Sequence, residues 1–201
     1  MSDESPKRSR GRPRTLDRER TLQIAMEVYW REGPASVGVN EICRRAGIAK
    51  PGLYREFGGE AGLKAAVLDH YWNAIIRPSF LALTAERPFA EVLDQTLAWL
   101  TSDRGLPPGC LFARMRTSVS HLDPALSNQL ESLREEMRGT YADWFARALG
   151  RDEGNPAISP TLAGYLLDTQ LMTVQMQMVV GEPPTLVREQ ARLALVCLLP
   201  S

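Results

Sequence analysis

The chain has 201 residues, and its 24 Lys and Arg balance 24 Asp and Glu, so the formal net charge is zero. A hydrophobic share of 44% and a charged share of 24% exclude an intrinsically disordered chain and are typical of a globular protein. Residues 1–64 carry 13 basic against 9 acidic side chains, whereas residues 65–201 carry 11 against 15. This asymmetry predicts that only the N-terminal part contacts a polyanion.

Cysteine usage and hydropathy indicate the compartment. Cys43, Cys110 and Cys197 are widely spaced and odd in number, which favours a reducing cytoplasm over a disulfide framework or a metal site. No stretch reaches the roughly 18 apolar residues of a membrane helix, and the N-terminus lacks the apolar region of a secretory signal. We therefore expect a cytoplasmic protein with no membrane partner, no metal and no cofactor.

The first 80 residues predict a polar arm and four helices. Residues 1–16 are polar, with five basic side chains between Lys7 and Arg14, and cannot order on their own. Helical periodicity, glycines and prolines then place a helix from Asp17 to Gly33, two short helices, and a longer helix from Ala61 that is interrupted at Pro78. The two short helices run over residues 39–46 and 50–57, with Gly47 between them and Gly58-Gly59 after them.

The rest of the chain is also predicted to be helical. The expected helices cover residues 88–103, Cys110 to about Leu122, a segment opened by Asp123-Pro124, 159–180 and 184–199. The helix over 159–180 has two apolar stripes, and a helix with two apolar faces must bury both. We expect one face to pack on its own domain and the other on a second copy. The predicted interface of this homodimer consists of Leu167, Leu171, Val174, Met178, Val187, Ala191, Ala194 and Leu198.

The strongest motif is the segment from Gly38 to Phe57, GVNEICRRAGIAKPGLYREF. Two short helices joined by a tight turn at Gly47 form a pair whose second helix is small enough to enter the major groove of DNA. The inner positions are apolar, and the outer positions carry the hydrogen-bond donors that phosphates and base edges require. This pattern predicts a DNA-binding helix-turn-helix.

The segment resembles the helix-turn-helix of the TetR family of transcriptional regulators, in register over residues 18–70. The resemblance implies an all-α fold: a basic arm (1–16), a three-helix DNA-binding domain (17–62), and a helical ligand-binding and dimerisation domain (63–201). It also implies a homodimer, a near-palindromic double-stranded operator and a small-molecule effector of unknown identity. The DNA-contacting candidates are Arg12, Arg14, Arg44, Arg45, Lys50, Pro51, Gly52, Tyr54 and Arg55.

Four positions depart from the family's pattern. Gly38 and Ala49 stand where the family usually has Ser or Thr, so both short helices lack their usual side-chain caps. Gly52 replaces a hydroxyl residue that contacts DNA, and Glu60 replaces a Lys that faces a phosphate.

The sequence Arg10-Gly-Arg-Pro-Arg14 is similar to arms that insert Arg side chains into narrow minor grooves of DNA. The alternative is a basic tail that only keeps the protein soluble.

Apolar and aromatic residues of the second domain are candidates for the effector pocket, although the same residue types also build plain cores. These candidates are Trp72, Trp99, Cys110, Phe112, Met115, Trp144, Tyr165, Met172 and Met176. Cys110 follows Pro-Pro-Gly at a helix start near Arg114 and Arg116, where a thiolate is favoured. Its Gly-Cys-Leu setting resembles a subgroup of the family that responds to electrophiles. The alternative is a small buried residue that packs the start of the helix.

The sequence favours a repressor that leaves its operator when ligand binds, and three other functional classes are the alternatives. A transcriptional activator of the same fold remains open, whereas the basic arm and the helix-turn-helix argue against a helical protein–protein adaptor. An enzyme is disfavoured, because neither His70 nor His121 has a nucleophile and a carboxylate at a recognisable catalytic spacing. The Gly58-Gly59-Glu60-Ala61-Gly62 segment follows a helix and not a strand, so it is no dinucleotide fingerprint. We expect no catalytic residues.

Overall fold

The computed structural model describes residues 16–117 and 123–200, and within them there is no β-strand. The predicted all-α fold is confirmed. Nine helices of seven residues or more are described. They are α1 Arg18–Glu32, α2 Val39–Ala46, α3 Lys50–Phe57, α4 Glu60–Tyr71, α5 Phe89–Leu100, α6 Leu111–Thr117, α7 Pro124–Leu149, α8 Pro160–Val180 and α9 Pro184–Leu195, and a 3₁₀ turn, Val196–Leu198, follows α9. None of the described helices is long and apolar enough to cross a bilayer.

Side-chain caps begin three of these helices. The Asp17 carboxylate accepts from the Arg20 amide at 3.0 Å, and the Asp123 carboxylate accepts from the Ala125 amide at 2.8 Å. The Ser159 hydroxyl accepts from the Leu162 amide at 3.2 Å. Each cap satisfies a backbone N–H that the helix itself leaves unpaired.

The predicted interruption at Pro78 is wrong, because the helical path continues past that residue. After α4 the chain makes a π-turn, Trp72–Ile76, then one α-turn, Arg77–Ser79, and a 3₁₀ turn, Phe80–Thr84. The Arg77 amide donates to the Trp72 carbonyl in the wider π pattern. Since proline has no N–H, the widened turn just before Pro78 absorbs the missing i to i−4 bond without ending the helix.

The hydrophobic core runs without a break from the first helix to the last. α4 packs on α1 and also against α6 and α7, so it belongs to both halves of the chain. Trp30 of α1 and Tyr71 of α4 meet edge to face, with ring centroids 4.9 Å apart. The predicted domain boundary at residue 62 stays a prediction, because packing does not separate the halves there.

The two longest helices, α7 and α8, form the most extensive helix pair in the body. They approach closely at Gly164, where an added Cβ would lie 2.6 Å from the Arg138 carbonyl oxygen. α9 packs on α8 and is tied to α5 by the Arg188 guanidinium, which donates to the Thr101 hydroxyl at 2.8 Å. These contacts fix the walls of the cavity described below.

Candidate functional site

The turn between α2 and α3 has the geometry of a helix-turn-helix. Gly47 adopts a left-handed conformation with φ of +66°, and the Ile48 amide donates back to the Cys43 carbonyl at 3.0 Å. This bonding pattern ends α2 without a side chain, and glycine adopts its positive φ at little cost. Neither α2 nor α3 has a side-chain cap, as the Gly38 and Ala49 substitutions predict.

The outer face of α3 presents a cluster of donors. Leu53 and Phe57 are buried against the other helices, while Lys50, Tyr54 and Arg55 are exposed. The Lys50 ammonium lies 5.4 Å from the centre of the Tyr54 ring, within the range of a cation–π contact. A two-turn helix with one buried edge and three exposed donors suits insertion into a groove of DNA.

The first turn of α3 is sterically open. Pro51 is exposed, and a Cβ added to Gly52 would have no neighbour within 4 Å. The missing side chain therefore leaves free space on the exposed face and fills no gap in the protein. A surface in contact with Gly52 can approach the α3 backbone more closely than a Ser or Thr would allow.

Arg44 and Arg45 are engaged with carboxylates, unlike the cations of α3. Arg45 pairs with Glu32 of α1 and, at 2.7 Å, with Glu41, and Arg44 also pairs with Glu41. Hydrogen bonds from Arg44 and Arg45 hold the pKa of Glu41 at about 2, so this carboxylate stays charged at neutral pH. Arg45 thus links α2 to α1, whereas the ion pair of Arg44 stays within α2, and DNA contact by either arginine remains a prediction.

The junction between α3 and α4 is sterically tight. A Cβ added to Gly62 would lie 1.7 Å from the Phe57 carbonyl oxygen, which forbids any side chain there. Glu60, in the first turn of α4, forms a 2.8 Å ion pair with Lys64. The arm candidates Arg12 and Arg14 lie outside the described residues.

A cavity of about 600 Å³ lies behind the DNA-binding helices, in the body of the protein. Its volume is in the range of sites for small organic ligands, and its wall is mostly apolar. The wall combines the end of α4 and its continuation, α5 and the loop after it, and α6, α7 and α8. Its aromatic residues are Tyr71, Phe80, Trp99, Phe112 and Tyr141.

The sequence of the helix-turn-helix region matches the family model described as bacterial regulatory proteins, tetR family, over residues 22–68. The HTH-type transcriptional repressor ComR of Escherichia coli is 28% identical over 170 residues, which cover 82% of this chain and 81% of that protein. The helix-turn-helix region of this chain is therefore similar to that of the TetR family. The HTH-type transcriptional repressor BdcR of Escherichia coli is also 28% identical, over 68% of this chain and 70% of that protein.

A solved structure of the TetR family regulator CifR, a cysteine mutant in complex with 26-bp operator DNA, resembles this protein over most of its length. The TM-score is 0.76 at 26% identity, with 92% of this chain and 98% of that chain covered. A TetR-family regulator from Agrobacterium tumefaciens has a TM-score of 0.78 at 13% identity, with 90% and 96% covered, and shares the fold. The likeness therefore extends through the variable body as well as the DNA-binding helices.

The structure places the predicted ligand residues in three different settings. Trp99, Cys110, Phe112 and Met172 lie in the cavity wall. Trp72, Met115 and Trp144 are core residues that do not line it, because they face the helix interfaces. Tyr165 and Met176 of α8 are exposed and do not line it, and Tyr165 packs under the Arg138 guanidinium at 4.1 Å. For these five residues the prediction of a pocket position is corrected.

Cys110 does not have the activated thiol predicted from its position. It is buried, and burial raises the pKa of the thiol, while a 3.3 Å hydrogen bond from the Tyr71 hydroxyl acts in the opposite direction. The cation whose charge acts on this thiol is Arg104, not the predicted Arg114 or Arg116. Desolvation outweighs the favourable contacts, so the neutral thiol dominates at neutral pH.

The two apolar faces of α8 are assigned the wrong way round by the sequence pattern. Leu167, Leu171 and Val174 of α8 are buried within the chain, as are Val187, Ala191 and Leu198 after it, and Met178 is half-buried. Buried side chains cannot form a surface for a partner, so this interface prediction is corrected, with only Ala194 exposed. The exposed apolar face consists instead of Leu162, Tyr165, Met176, Val180, Leu186, Leu193 and Val196.

Sequence reasoning missed the polar residues of the cavity wall, among them Arg104, Asp168 and Gln175. Asp168 had a detectable signal, because it is the one charged residue between Pro160 and Gly181. A lone carboxylate in a long apolar helix needs partners, and Arg134 and Arg138 donate to its Oδ2 at 2.9 and 3.0 Å. Arg104 gave no such signal, because it lies in a loop rich in Pro and Gly.

Proposed function

We propose that this protein is a homodimeric repressor that binds a near-palindromic operator and leaves it when a small molecule enters the cavity. The observation that carries the proposal is the exposed donor cluster of α3, in which Lys50, Tyr54 and Arg55 have no carboxylate partner among the described residues. Exposed, unneutralised donors on a groove-sized helix supply phosphate and base contacts. The repressor names of the Escherichia coli relatives and the operator-bound CifR complex support the same reading.

The exposed apolar face supports the dimer. Leu162 and Tyr165 of α8 and Leu193 of α9 are each more than 40% exposed, and Val180 is 72% exposed. A monomer rarely leaves such a concentration of large apolar side chains in water. A two-fold dimer through this face would present two copies of α3 to two half-sites of the operator. The centres of these half-sites would lie about one helical turn of DNA apart, roughly 34–36 Å, or a multiple of that distance.

Gel-shift titration on the DNA flanking the protein's own gene tests operator binding. We expect Arg55→Ala to weaken binding by at least about tenfold, the cost of about 1.4 kcal/mol that one lost base or phosphate contact brings. Arg77→Ala removes an equally exposed cation from the body, where its ion pair with Glu136 is 3.6 Å long, and serves as the control. Equal affinity of wild type and Arg55→Ala would contradict the assignment of α3 as the reading helix.

The direction of regulation needs a transcriptional readout. In a reporter strain with that DNA upstream of the reporter, deletion of the protein should raise expression if it represses. A fall in expression on deletion would identify an activator instead. DNA binding in the gel shift remains informative in both cases.

A further inference from the structure

The cavity wall contains a cation without a counter-ion. Arg104 is half-buried in the loop after α5, and its guanidinium carbon lies 4.2 Å from the centre of the Trp99 ring. No acidic side chain of residues 16–117 or 123–200 forms an ion pair with it. Burial lowers the pKa of Arg104, so the surroundings do not compensate the desolvation of its charge. Its five N–H donors therefore remain available to a ligand.

Arg104 lies near two buried polar groups of the cavity wall, Tyr71 and Cys110. Its positive charge acts on Tyr71 and on Cys110, and burial raises the pKa of both groups against that influence. Tyr71 and Cys110 are joined by their 3.3 Å hydrogen bond, and both belong to the cavity wall. The half-buried guanidinium is thus part of the cavity wall and acts on a hydroxyl and a thiol that carry no charge at neutral pH.

The other ionic groups of the wall are compensated. Arg87 pairs with Glu91 at 3.2 Å, and the carboxylate of Asp168 receives Arg134 and Arg138. Arg104 therefore leaves the wall with an uncompensated positive charge. An anion that enters this low-dielectric space gains more from that charge than it would at the protein surface.

Two acceptors elsewhere in the wall limit how many acidic groups can enter. Among the described residues, Asp168 Oδ1 and Gln175 Oε1 are buried without a hydrogen-bond partner. They lie seven residues apart on α8, about 10 Å along the helix axis. Oxygen acceptors repel a second carboxylate and favour an apolar group or a donor such as a hydroxyl.

We propose that the ligand of this cavity is an apolar organic monocarboxylic acid, whose carboxylate pairs with Arg104 and whose aromatic or aliphatic body fills the apolar wall. The proposal rests on the proposed function, since it names the chemical class of the effector. Arginine binds a carboxylate through two parallel hydrogen bonds, and the contact with Trp99 holds the guanidinium plane in place.

Isothermal titration calorimetry with matched probes tests this class. The probes are phenylbutyrate and decanoate, each compared with its neutral alcohol, phenylbutanol or decanol. We expect each acid to bind the wild-type protein at least about tenfold more tightly than its alcohol, as charge-assisted hydrogen bonds predict. Arg104→Met should lower the affinity for the acids to that for the alcohols. It should change the affinity for the alcohols by less than about twofold. Arg104→Lys should keep part of the preference, and Arg77→Met should keep all of it.

The proposal is overturned if the acids have no advantage over the alcohols, if Arg104→Met keeps that advantage, or if no probe binds. Gel shifts with the same probes test the proposed function separately. Acid binding through Arg104 without loss of operator binding would leave the ligand class standing and refute release by that ligand. Operator binding that is lost equally with acids and alcohols would refute the ligand class and leave the regulator standing.

Discussion

The indole N–H of Trp30 donates to the carbonyl oxygen of Gly109 at 3.3 Å, across 79 residues of sequence and inside the core. Trp30 belongs to α1 of the DNA-binding region, and Gly109 precedes the cavity residue Cys110. The same indole meets Tyr71, which donates to Cys110. One aromatic side chain thus contacts both the wall of the cavity and the segment that leads into it.

Trp30→Phe should therefore cost more stability than loss of volume alone. Trp72→Phe is the matched control, because Trp72 is equally buried but its Nε1 has no partner among the described residues. We expect Trp30→Phe to lower the free energy of unfolding by about 1 kcal/mol more than Trp72→Phe, the net contribution of one buried hydrogen bond. Denaturant titration measures the difference, and equal costs would show that the bond contributes nothing.

Gly62→Ala should disrupt the α3–α4 junction, since the new Cβ would collide with the Phe57 carbonyl. We expect a loss of about 1–3 kcal/mol in the free energy of unfolding, typical of overpacking, together with weaker operator binding. Gly52→Ala should be neutral or stabilising by up to about 1 kcal/mol, because that position is open and helical. Thermal unfolding of both variants checks the contrast, which an unharmed Gly62→Ala would contradict.

Leu193→Glu should dissociate the proposed dimer, because it places a charge on the exposed apolar face. Leu81→Glu is the control, since Leu81 is 71% exposed but lies in the 3₁₀ turn after α4. Sedimentation velocity should give a monomer for the first variant and a dimer for the second. If Leu193→Glu remains a folded dimer, the interface lies elsewhere.

The basic arm should contribute affinity that depends on salt and little on DNA sequence. Each phosphate contact adds about 0.9 to the slope of log affinity against log salt concentration. Deletion of residues 1–14 should flatten that slope while the preferred operator stays the same. The matched control replaces the five basic residues between Lys7 and Arg14 with Gln, which keeps the length of the arm. An unchanged slope in the deletion would exclude phosphate contact by the arm.

Alkylation by iodoacetamide at neutral pH should reach Cys197 well before Cys110. Cys197 is exposed, whereas Cys110 is buried and burial raises its pKa, so its reactive thiolate is scarce. The alkylation rate of Cys110 should rise about tenfold per pH unit as long as the pH stays below the pKa of its thiol. Tyr71→Phe removes a hydrogen bond that lowers the pKa, and should slow Cys110 further. Mass spectrometry of the modified peptides measures both rates, and faster modification of Cys110 would revive the electrophile-sensor hypothesis.

Local signals in the sequence predicted most of the fold. Asp17, Gly33, Gly47 and Pro51 mark helix ends through their own backbone and capping chemistry, which needs no tertiary information. The assignment of the two faces of α8 was wrong, because Leu and Met stripes look alike whether they face the same chain or a partner. Which stripe is buried depends on how α7 and α9 pack on α8, and a single sequence does not contain that information.

The candidate site divides in the same way. The donors of α3 follow from a local motif, whereas the ion pair that joins Arg45 to α1 depends on Glu32, thirteen residues away on another helix. Arg104 and Asp168 reach one cavity from a loop and a helix that are 64 residues apart. Only the packed structure brings such residues together.

The unbroken core through α4 has a consequence for protein engineering. A DNA-reading module cut at residue 62 would lose the edge-to-face contact between Trp30 and Tyr71 and would expose the face of α1 that packs on α4. A chimaera that transplants this specificity onto another family member should therefore carry α4 as well. The recipient must also offer a backbone carbonyl at the position of Gly109. A glycine is needed there, because a Cβ added to Gly109 would lie 2.1 Å from a methyl group of Val179. The hydrogen bond of Trp30 thus ties the DNA-reading module to a carbonyl 79 residues further along the chain than Trp30 itself.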